Sequence, residues 1–195
     1  MTDASIARLK VTLREVKPKV LRRLEVPFAM GLDRLHLTLQ AAMGWTNSHL
    51  FEFSVGDGRR GIPDPDWDEN PRDSRKITLQ GVASKTLTYL YDFGDGWEHT
   101  VKIERVIEAE PGGAYPRLIE AVGRCPPKDV GGPWGYADLI EALKDPDNER
   151  HADMLEWVGD GFDPDVLDAE ALTANVAALA RRWSQTNSSK RARPV

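Results

Sequence analysis

The 195-residue sequence contains a single cysteine, Cys125. One cysteine cannot close an intramolecular disulfide and cannot by itself build a cysteine-rich zinc site. The chain also lacks any run approaching the roughly 18 apolar residues that a membrane-spanning helix needs, and its polar start, residues 1–5, does not resemble a secretory signal. These absences exclude a disulfide scaffold and a membrane span, and we expect a cytoplasmic protein.

Motifs of the common nucleotide-binding and hydrolytic enzymes are missing as well. The sequence has no Gly-x-Ser-x-Gly elbow, no Walker loop and no His-Glu-x-x-His helix. Gly56, Gly58 and Gly61 match the dinucleotide pattern, but Pro63 and Pro65 follow them. Because no helix can begin at that point to receive a pyrophosphate, we exclude a dinucleotide site there.

The net charge of −5 is distributed unevenly along the chain. Residues 108–170 carry five Lys and Arg against sixteen Asp and Glu, whereas residues 171–195 carry five basic residues and no acid. An acidic stretch of this size favours a basic ligand or a basic protein surface as partner, although such charges also occur on faces that are merely solvated. The sequence pI of about 5.4 argues against extensive contact with nucleic acid, because a basic surface is its usual requirement.

Hydrophobic periodicity predicts an α+β fold. Residues 6–16 and 20–26 alternate apolar and polar side chains, which indicates a β-hairpin. Apolar residues at helical spacing predict a helix over 32–43, with Gly44 at its end, and a third strand is predicted over 49–55.

The remaining chain divides into loops, a second hairpin and a helical end. Residues 56–76 are predicted to form a loop, and 115–132 an irregular segment. We predict two strands that form a second hairpin, over 85–93 and 97–107. Three helices are predicted over 134–143, 148–158 and 168–183, and a basic disordered tail over 184–195. The expected architecture is a single domain over residues 1–183, in which an antiparallel or mixed sheet of about five strands packs against helices and a C-terminal helical group.

The second hairpin carries the first candidate site. If Gly94-Asp95-Gly96 is a three-residue hairpin loop, Asp92 and Glu98 face each other on one side of the hairpin. Two facing carboxylates destabilise a hairpin unless a cation or a hydrogen-bond donor lies between them. The pair, with Asp95 beside it, therefore predicts a site for a cation or a basic ligand. The alternative is that Lys or Arg side chains from elsewhere in the fold neutralise the pair, or that a β-bulge separates the two carboxylates.

The same register predicts an aromatic core face on the other side of the hairpin. Its cross-strand pairs are Phe93 with Trp97, Tyr91 with His99, and Tyr89 with Val101.

Two histidines extend the candidate site toward metal chemistry. His49 and His99 lie beside aromatic residues on predicted strands and can converge near Asp92 and Glu98. Imidazole and carboxylate ligands in this combination suit a divalent metal. The alternative is that each histidine is packed and hydrogen-bonded in the core.

A rigid loop supplies the second candidate site. Residues 125–136 contain three prolines and three glycines immediately before a predicted helix. Such loops present side chains and main-chain NH groups in fixed positions. We take Asp129, Trp134 and Tyr136 as candidates for contact with a ligand or partner, and Cys125 as a buried structural thiol.

Three stretches of sequence carry a resemblance to a known family. Residues 41–53 (AAMGWTNSHLFEF), 91–99 (YDFGDGWEH) and 125–136 (CPPKDVGGPWGY) resemble the plasmid pRiA4b ORF-three-like family, with matching order over about residues 5–175. The resemblance implies an accessory module associated with mobile elements, and some relatives carry a transposon-resolvase label. Serine recombinases need a nucleophilic serine supported by arginines, and tyrosine recombinases need arginines and histidines with a late tyrosine. Neither set of residues is recognisable in this sequence.

Two hypotheses of function follow. The first is an interaction module that binds a protein or a basic ligand through the rigid 125–136 loop and its acidic surface. The second is a metal-assisted hydrolase or nuclease that uses Asp92, Glu98, His99 and His49.

The basic C-terminal end leads to a first prediction. Its cations are Arg181, Arg182, Lys190, Arg191 and Arg193. Each phosphate that they neutralise steepens the log–log salt dependence of duplex binding by about 0.9, so five charges give only weak, sequence-independent binding. Deleting residues 184–195 should abolish retention on a DNA column at low salt and leave the fold intact, measured as an unchanged midpoint of urea denaturation. Tight, sequence-specific binding by the truncated protein would contradict this prediction.

Overall fold

The computed structural model describes residues 5–56, 58–66, 68–82, 84–159 and 161–191, with side chains as far as residue 185. Its centre is one eight-stranded sheet. The strands are β1 (Ser5–Leu13), β2 (Leu21–Pro27), β3 (Phe51–Val55), β4 (Gly58–Gly61), β5 (Arg72–Asp73), β6 (Thr86–Tyr91), β7 (Trp97–Glu108) and β8 (Arg117–Val122). Their spatial order is β5-β4-β3-β6-β7-β1-β2-β8, and only β4 and β5 pair in parallel. The helices are α1 (Leu32–Met43), α2 (Gly132–Lys144), α3 (His151–Val158) and α4 (Ala169–Arg191).

One face of the sheet forms the hydrophobic core with the helices. Alternation along the central strands directs every second side chain to this face, and the apolar stripe of α1 packs on it. Helix α1 ends at Gly44, whose φ of 82° suits glycine and whose N–H donates to the carbonyl oxygen of Gln40. The buried core residues of the central strands include Leu9, Val11, Leu24, Phe53, Leu87, Tyr89, Tyr91, Trp97, His99 and Val101.

Ion pairs cover the opposite face. Glu25 is completely buried between two arginines: Arg8 Nε lies 2.9 Å from its Oε1, and Arg117 Nε lies 2.6 Å from its Oε2. Burial alone would raise the pKa of Glu25, but these two charge-assisted hydrogen bonds bring it below its ordinary value. Two basic residues of the first hairpin, Arg8 and Arg23, are therefore paired with acids within the fold.

The α+β prediction is confirmed, but the sheet has eight strands rather than about five. The difference arises because β4 and β5 form inside the predicted 56–76 loop and β8 forms inside the predicted irregular segment. These short strands extend existing sheet edges, so tertiary pairing overrides their weak local pattern. The predicted 184–195 tail overlaps α4 as far as Arg191, and its last four residues lie outside the described ones. Within the described ranges, no helix is long and apolar enough to cross a membrane.

The register predicted for the second hairpin is wrong. Tyr91 pairs with Trp97 and Leu90 pairs with Glu98, so Asp92 does not face Glu98. The reason is a longer loop: Asp92 leaves the strand with a φ of 58°, and its carbonyl oxygen accepts a hydrogen bond from Gly96 N at 2.7 Å. Lengthening the loop from three residues to five shifts the pairing by two positions, which preserves the face of each side chain.

The aromatic core face of the second hairpin is therefore present, but the cross-strand pairs differ from the predicted ones. Tyr89 pairs with His99 rather than with Val101, and all three are buried. Phe93 is the exception because it lies in the loop, where its side chain is exposed.

Two buried histidines give the fold a predictable response to acid. Burial lowers the pKa of both His36 and His99 to about 4. In the unfolded chain histidine has a pKa of about 6.5, so the unfolded state takes up protons first as the pH falls. The free energy of unfolding should be greatest above about pH 6.5 and decline as the pH approaches 4, by up to a few kcal/mol.

Urea denaturation at about pH 7.5 and about pH 5 measures this effect. The His99→Gln variant, which removes one of the two titrating rings, should show a shallower decline than the unmodified protein. Equal free energies of unfolding at the two pH values would contradict the prediction.

Candidate functional site

The three motif stretches of the sequence meet at one surface of the fold. His49, before β3, lies between Asp92 of the β6–β7 loop and Asp129 of the segment before α2. His49 Nε2 is 3.5 Å from Asp92 Oδ2 and 3.7 Å from Asp129 Oδ1. One ligand atom from each of the three residues lies within 4.8 Å of the other two. We call these three residues the His49 cluster.

Asp92 is held firmly by its own loop. Its Oδ1 accepts hydrogen bonds from the N–H groups of Gly94, at 3.0 Å, and Asp95, at 3.4 Å. Its own N–H donates to the carbonyl oxygen of Leu50, which ties the β6–β7 loop to the chain beside His49. These bonds use one carboxylate oxygen and leave Oδ2 directed at His49.

Glycines bring the third stretch against the β6–β7 loop. Gly131 and Gly132 have φ values of 88° and 71°, which side chains other than glycine rarely adopt. A Cβ atom on Gly132 would collide with the carbonyl oxygen of Asp95. Asp129, with a φ of 59°, also has a left-handed conformation, and its carboxylate is 70% exposed. Two of the three cluster residues thus have a strained backbone, which is frequent at functional sites.

His49 is positioned by the aromatic core beneath it. Its ring contacts Tyr91 edge-on, with 6.0 Å between the ring centroids. The hydroxyl of Tyr91 accepts a hydrogen bond at 3.0 Å from the N–H of Ser48, the residue before His49. Because Tyr91 belongs to a central strand and is buried, it fixes the chain that carries the imidazole.

A separate apolar cleft has a volume of about 290 Å³, and none of the His49 cluster residues lines it. Leu50 and Phe93, the residues directly after His49 and Asp92, line it together with Ile62. These three side chains are 48%, 43% and 52% exposed, respectively. A group of large exposed apolar residues around one concavity is typical of a binding surface.

The structure separates Glu98 and His99 from the His49 cluster. Glu98 forms an ion pair with Arg14 on the exposed side of the hairpin. His99 is completely buried; its Nδ1 lies 3.0 Å from the carbonyl oxygen of Trp97, and its Nε2 has no partner among the described residues. The predicted set of His49, Asp92, Glu98 and His99 is therefore not one site.

The other predicted contact residues lie near the cluster in different environments. Asp95 follows Asp92 in the loop, and its Oδ2 is buried without a hydrogen-bond partner in the described part of the chain. Trp134, in the first turn of α2, is 83% exposed and available for contact. Tyr136 packs into the core, which raises the pKa of its hydroxyl to about 12 through burial.

Asp129 is the residue that the sequence did not assign to the metal set. The sequence predicts a ligand contact for it, but nothing local places it beside His49, which is 80 positions earlier in the chain. The sequence feature that could have pointed to Asp129 is its position in the third motif stretch, residues 125–136. Ligand atoms around a cation with bonds of about 2.1 Å lie about 3 to 4 Å apart. The distances from His49 Nε2 to Asp92 Oδ2 and Asp129 Oδ1, 3.5 and 3.7 Å, fall in this range.

The fold is that of an α+β protein with one mixed sheet, and His49, Asp92 and Asp129 come together from three separate segments. The chain belongs to the plasmid pRiA4b ORF-3-like protein family, whose model matches residues 5–171. It is 52% identical over 187 residues to the uncharacterized protein y4hQ of Sinorhizobium fredii, a match that covers 93% of this chain and 96% of that protein. The crystal structure of MM3350, a protein of unknown function from Methanosarcina mazei Go1, is similar with a TM-score of 0.79 and 30% identity, covering 87% of this chain and 98% of that one.

The close approach at Gly132 gives a stability prediction. Gly132→Ala should lower the free energy of unfolding by about 2 kcal/mol or more, because it adds a steric collision to the cost of a left-handed alanine. Gly112→Ala is the matched control, since Gly112 also has a positive φ, 73°, but no heavy atom lies within 4 Å of the position that its Cβ would occupy. Urea denaturation of both variants measures the difference. Equal losses would contradict the close approach.

Proposed function

We propose that the protein is an accessory interaction module that binds a basic, partly apolar ligand where the three motif stretches meet. The apolar part of the ligand occupies the cleft beside Leu50 and Phe93, and its cationic group lies against the carboxylates of Asp92 and Asp129. A protein segment with an apolar side chain next to Lys or Arg has this chemistry. The association with mobile elements that the family resemblance implies is part of this proposal.

The observation that carries the proposal is that Leu50 and Phe93, the residues directly after His49 and Asp92 in the chain, line an apolar cleft. Leu50, Ile62 and Phe93 keep large apolar areas in contact with water, and binding a ligand there would remove this area from water. The hydrogen bond between Asp92 N and the Leu50 carbonyl oxygen joins the backbone at the cleft wall to the loop that carries Asp92. A preformed wall reduces the entropy that binding costs.

A peptide array tests this proposal. The protein should select peptides in which an apolar residue is flanked by Lys or Arg over sequences with the charges inverted. Fluorescence anisotropy on a selected peptide should then show that Leu50→Ser and Asp129→Asn each weaken binding about tenfold, because each removes one of the two contacts.

The control variant is Val106→Ser, since Val106 is 45% exposed on β7 and does not line the cleft. It should bind the selected peptide as the unmodified protein does. Selection of acidic peptides, or unchanged binding by Leu50→Ser, would refute the interaction module in this form.

A second candidate function, metal-assisted hydrolysis, is supported by one observation. The three ligand atoms of the His49 cluster lie within 4.8 Å of one another, and Asp129 is open to solvent on one side. An ion held by His49, Asp92 and Asp129 would supply Lewis-acid chemistry and a water of lowered pKa. The chain's own part in such a reaction would be to hold the ion through Asp92, whose loop fixes its orientation.

Isothermal titration with Mn²⁺ and with Zn²⁺, on protein purified without a histidine tag and treated with chelator, tests the metal centre. If it exists, one ion binds per chain, and His49→Ala and Asp92→Asn each weaken binding by about tenfold or more. Glu98→Gln is the control, because Glu98 pairs with Arg14 instead. No saturable binding, or equal loss in Glu98→Gln, would refute the centre.

A further inference from the structure

A second and larger cavity lies on the other side of the segment that carries Asp129. Its volume is about 470 Å³, and it is enclosed by the end of α1, residues 124–128 and the start of α4. None of the His49 cluster residues lines it. Cavities of about 300 to 1,000 Å³ with mostly apolar walls and a few polar groups are typical of small-molecule sites.

The wall of this cavity contains a buried arginine without a counter-ion. Arg22 is on the core face of β2 and is completely buried. Its guanidinium donates to the carbonyl oxygens of Ala42, Leu21 and Val122 and to Cys125 Sγ, at 2.7 to 3.3 Å. Among the described residues no carboxylate pairs with it, so its charge is balanced only by dipoles. Burial lowers the pKa of Arg22, as expected for a cation held away from water.

Cys125 does not neutralise this charge. Burial raises the pKa of its thiol to about 11, even though Arg22 beside it acts in the opposite direction. The thiol is therefore neutral at physiological pH and contributes only a weak hydrogen-bond acceptor. The potential of Arg22 extends into the adjoining cavity, because a low-dielectric wall screens it poorly.

Two further cations line the cavity and can contact its contents directly. Arg124 packs over the ring of Phe162, 4.6 Å from its centroid, and donates to the carbonyl oxygens of Gly161 and Asp163. These contacts fix the guanidinium at the cavity wall. Lys128 also lines the cavity, and none of its contacts in the described part of the chain is an ion pair.

Asp168 is the one carboxylate among the described residues that line the cavity, and it is already used. Asp168 Oδ1 accepts a hydrogen bond of 2.8 Å from Ala171 N and so caps the first turn of α4. The opposite walls are apolar and include Met43, Trp45, Phe162, Val166 and Leu172. The cavity thus joins an apolar interior to an excess of positive charge, in a protein whose net charge is −5.

We propose that this cavity binds a small organic anion with an apolar body, its carboxylate or phosphate head at Lys128 and Arg124 and its apolar part against Phe162 and Leu172. Arg22 contributes through its electrostatic potential rather than by contact, because its side chain is closed off from the cavity surface. The site is independent of the His49 cluster, so its failure leaves the proposed function unaffected.

Isothermal titration of the protein with octanoate and with octyl phosphate tests the site, with octylamine and acetate as comparison probes. One octyl anion should bind per chain, while octylamine, which has the wrong charge, and acetate, which has no apolar body, should not saturate the protein. Lys128→Met should weaken binding of the anion about tenfold, since it keeps the length of the side chain and removes the charge. Ala171→Phe, at an exposed position on the rim, should block the cavity and abolish binding.

Lys102→Met is the matched control, because Lys102 is exposed on β7 and does not line the cavity. It should bind the octyl anions with unchanged affinity. The proposal is overturned if neither anion saturates the protein below about 10 mM, if octylamine binds equally well, or if Lys128→Met and Ala171→Phe both bind as the unmodified protein does.

Discussion

The close approach of Gly132 to the carbonyl oxygen of Asp95 is the constraint on which the candidate site depends. It joins the start of α2 to the β6–β7 loop without an intervening side chain. As a result Asp129, three residues before Gly132, comes within reach of His49. Separating the two loops by the width of one methyl group would move Asp129 away from the cluster. The two adjacent glycines are therefore required by packing as well as by their backbone angles.

A network of buried hydrogen bonds supports the other side of the site. The Tyr89 hydroxyl in the core accepts from Gln40 Nε2 at 2.9 Å, and Gln40 Oε1 accepts from Asn47 N at 3.0 Å. His36 stacks on Phe51, with 3.6 Å between the ring centroids. The chain leading to His49 is thus attached to α1 and to the central strands. Preorganisation of this kind lowers the entropic cost of holding a ligand or an ion.

The segment 124–129 separates two surfaces of opposite charge. Its Asp129 end belongs to the acidic His49 cluster, whereas its Arg124 and Lys128 side chains line a cavity next to the buried Arg22. Prolines 126 and 127 restrict the backbone between them. The net charge of −5 therefore conceals two local regions of opposite charge.

Local pattern determined much of the fold. Alternation and helical spacing defined the first hairpin, α1, β3 and the aromatic face around Tyr89 and His99, because side-chain periodicity follows directly from backbone geometry. The face survived an error in register, since the hairpin loop is longer by two residues and a shift of two keeps each side chain on its side. The short strands β4, β5 and β8 were missed because sheet-edge pairing, rather than their own sequence, stabilises them.

The sequence likewise identified the residues of the candidate site but not their arrangement. His49, Asp92 and Asp129 were each recognisable from the sequence as chemically capable residues in unusual stretches. Their association, and the exclusion of Glu98 and His99, was decided by tertiary structure. Asp92 leaves its strand because its carboxylate caps its own loop, and Asp129 reaches His49 only because Gly132 permits backbone contact between segments far apart in sequence. Hydrophobic periodicity indicates the face to which a side chain points. Contacts between distant loops depend instead on loop length and backbone packing, and the local sequence pattern encodes neither.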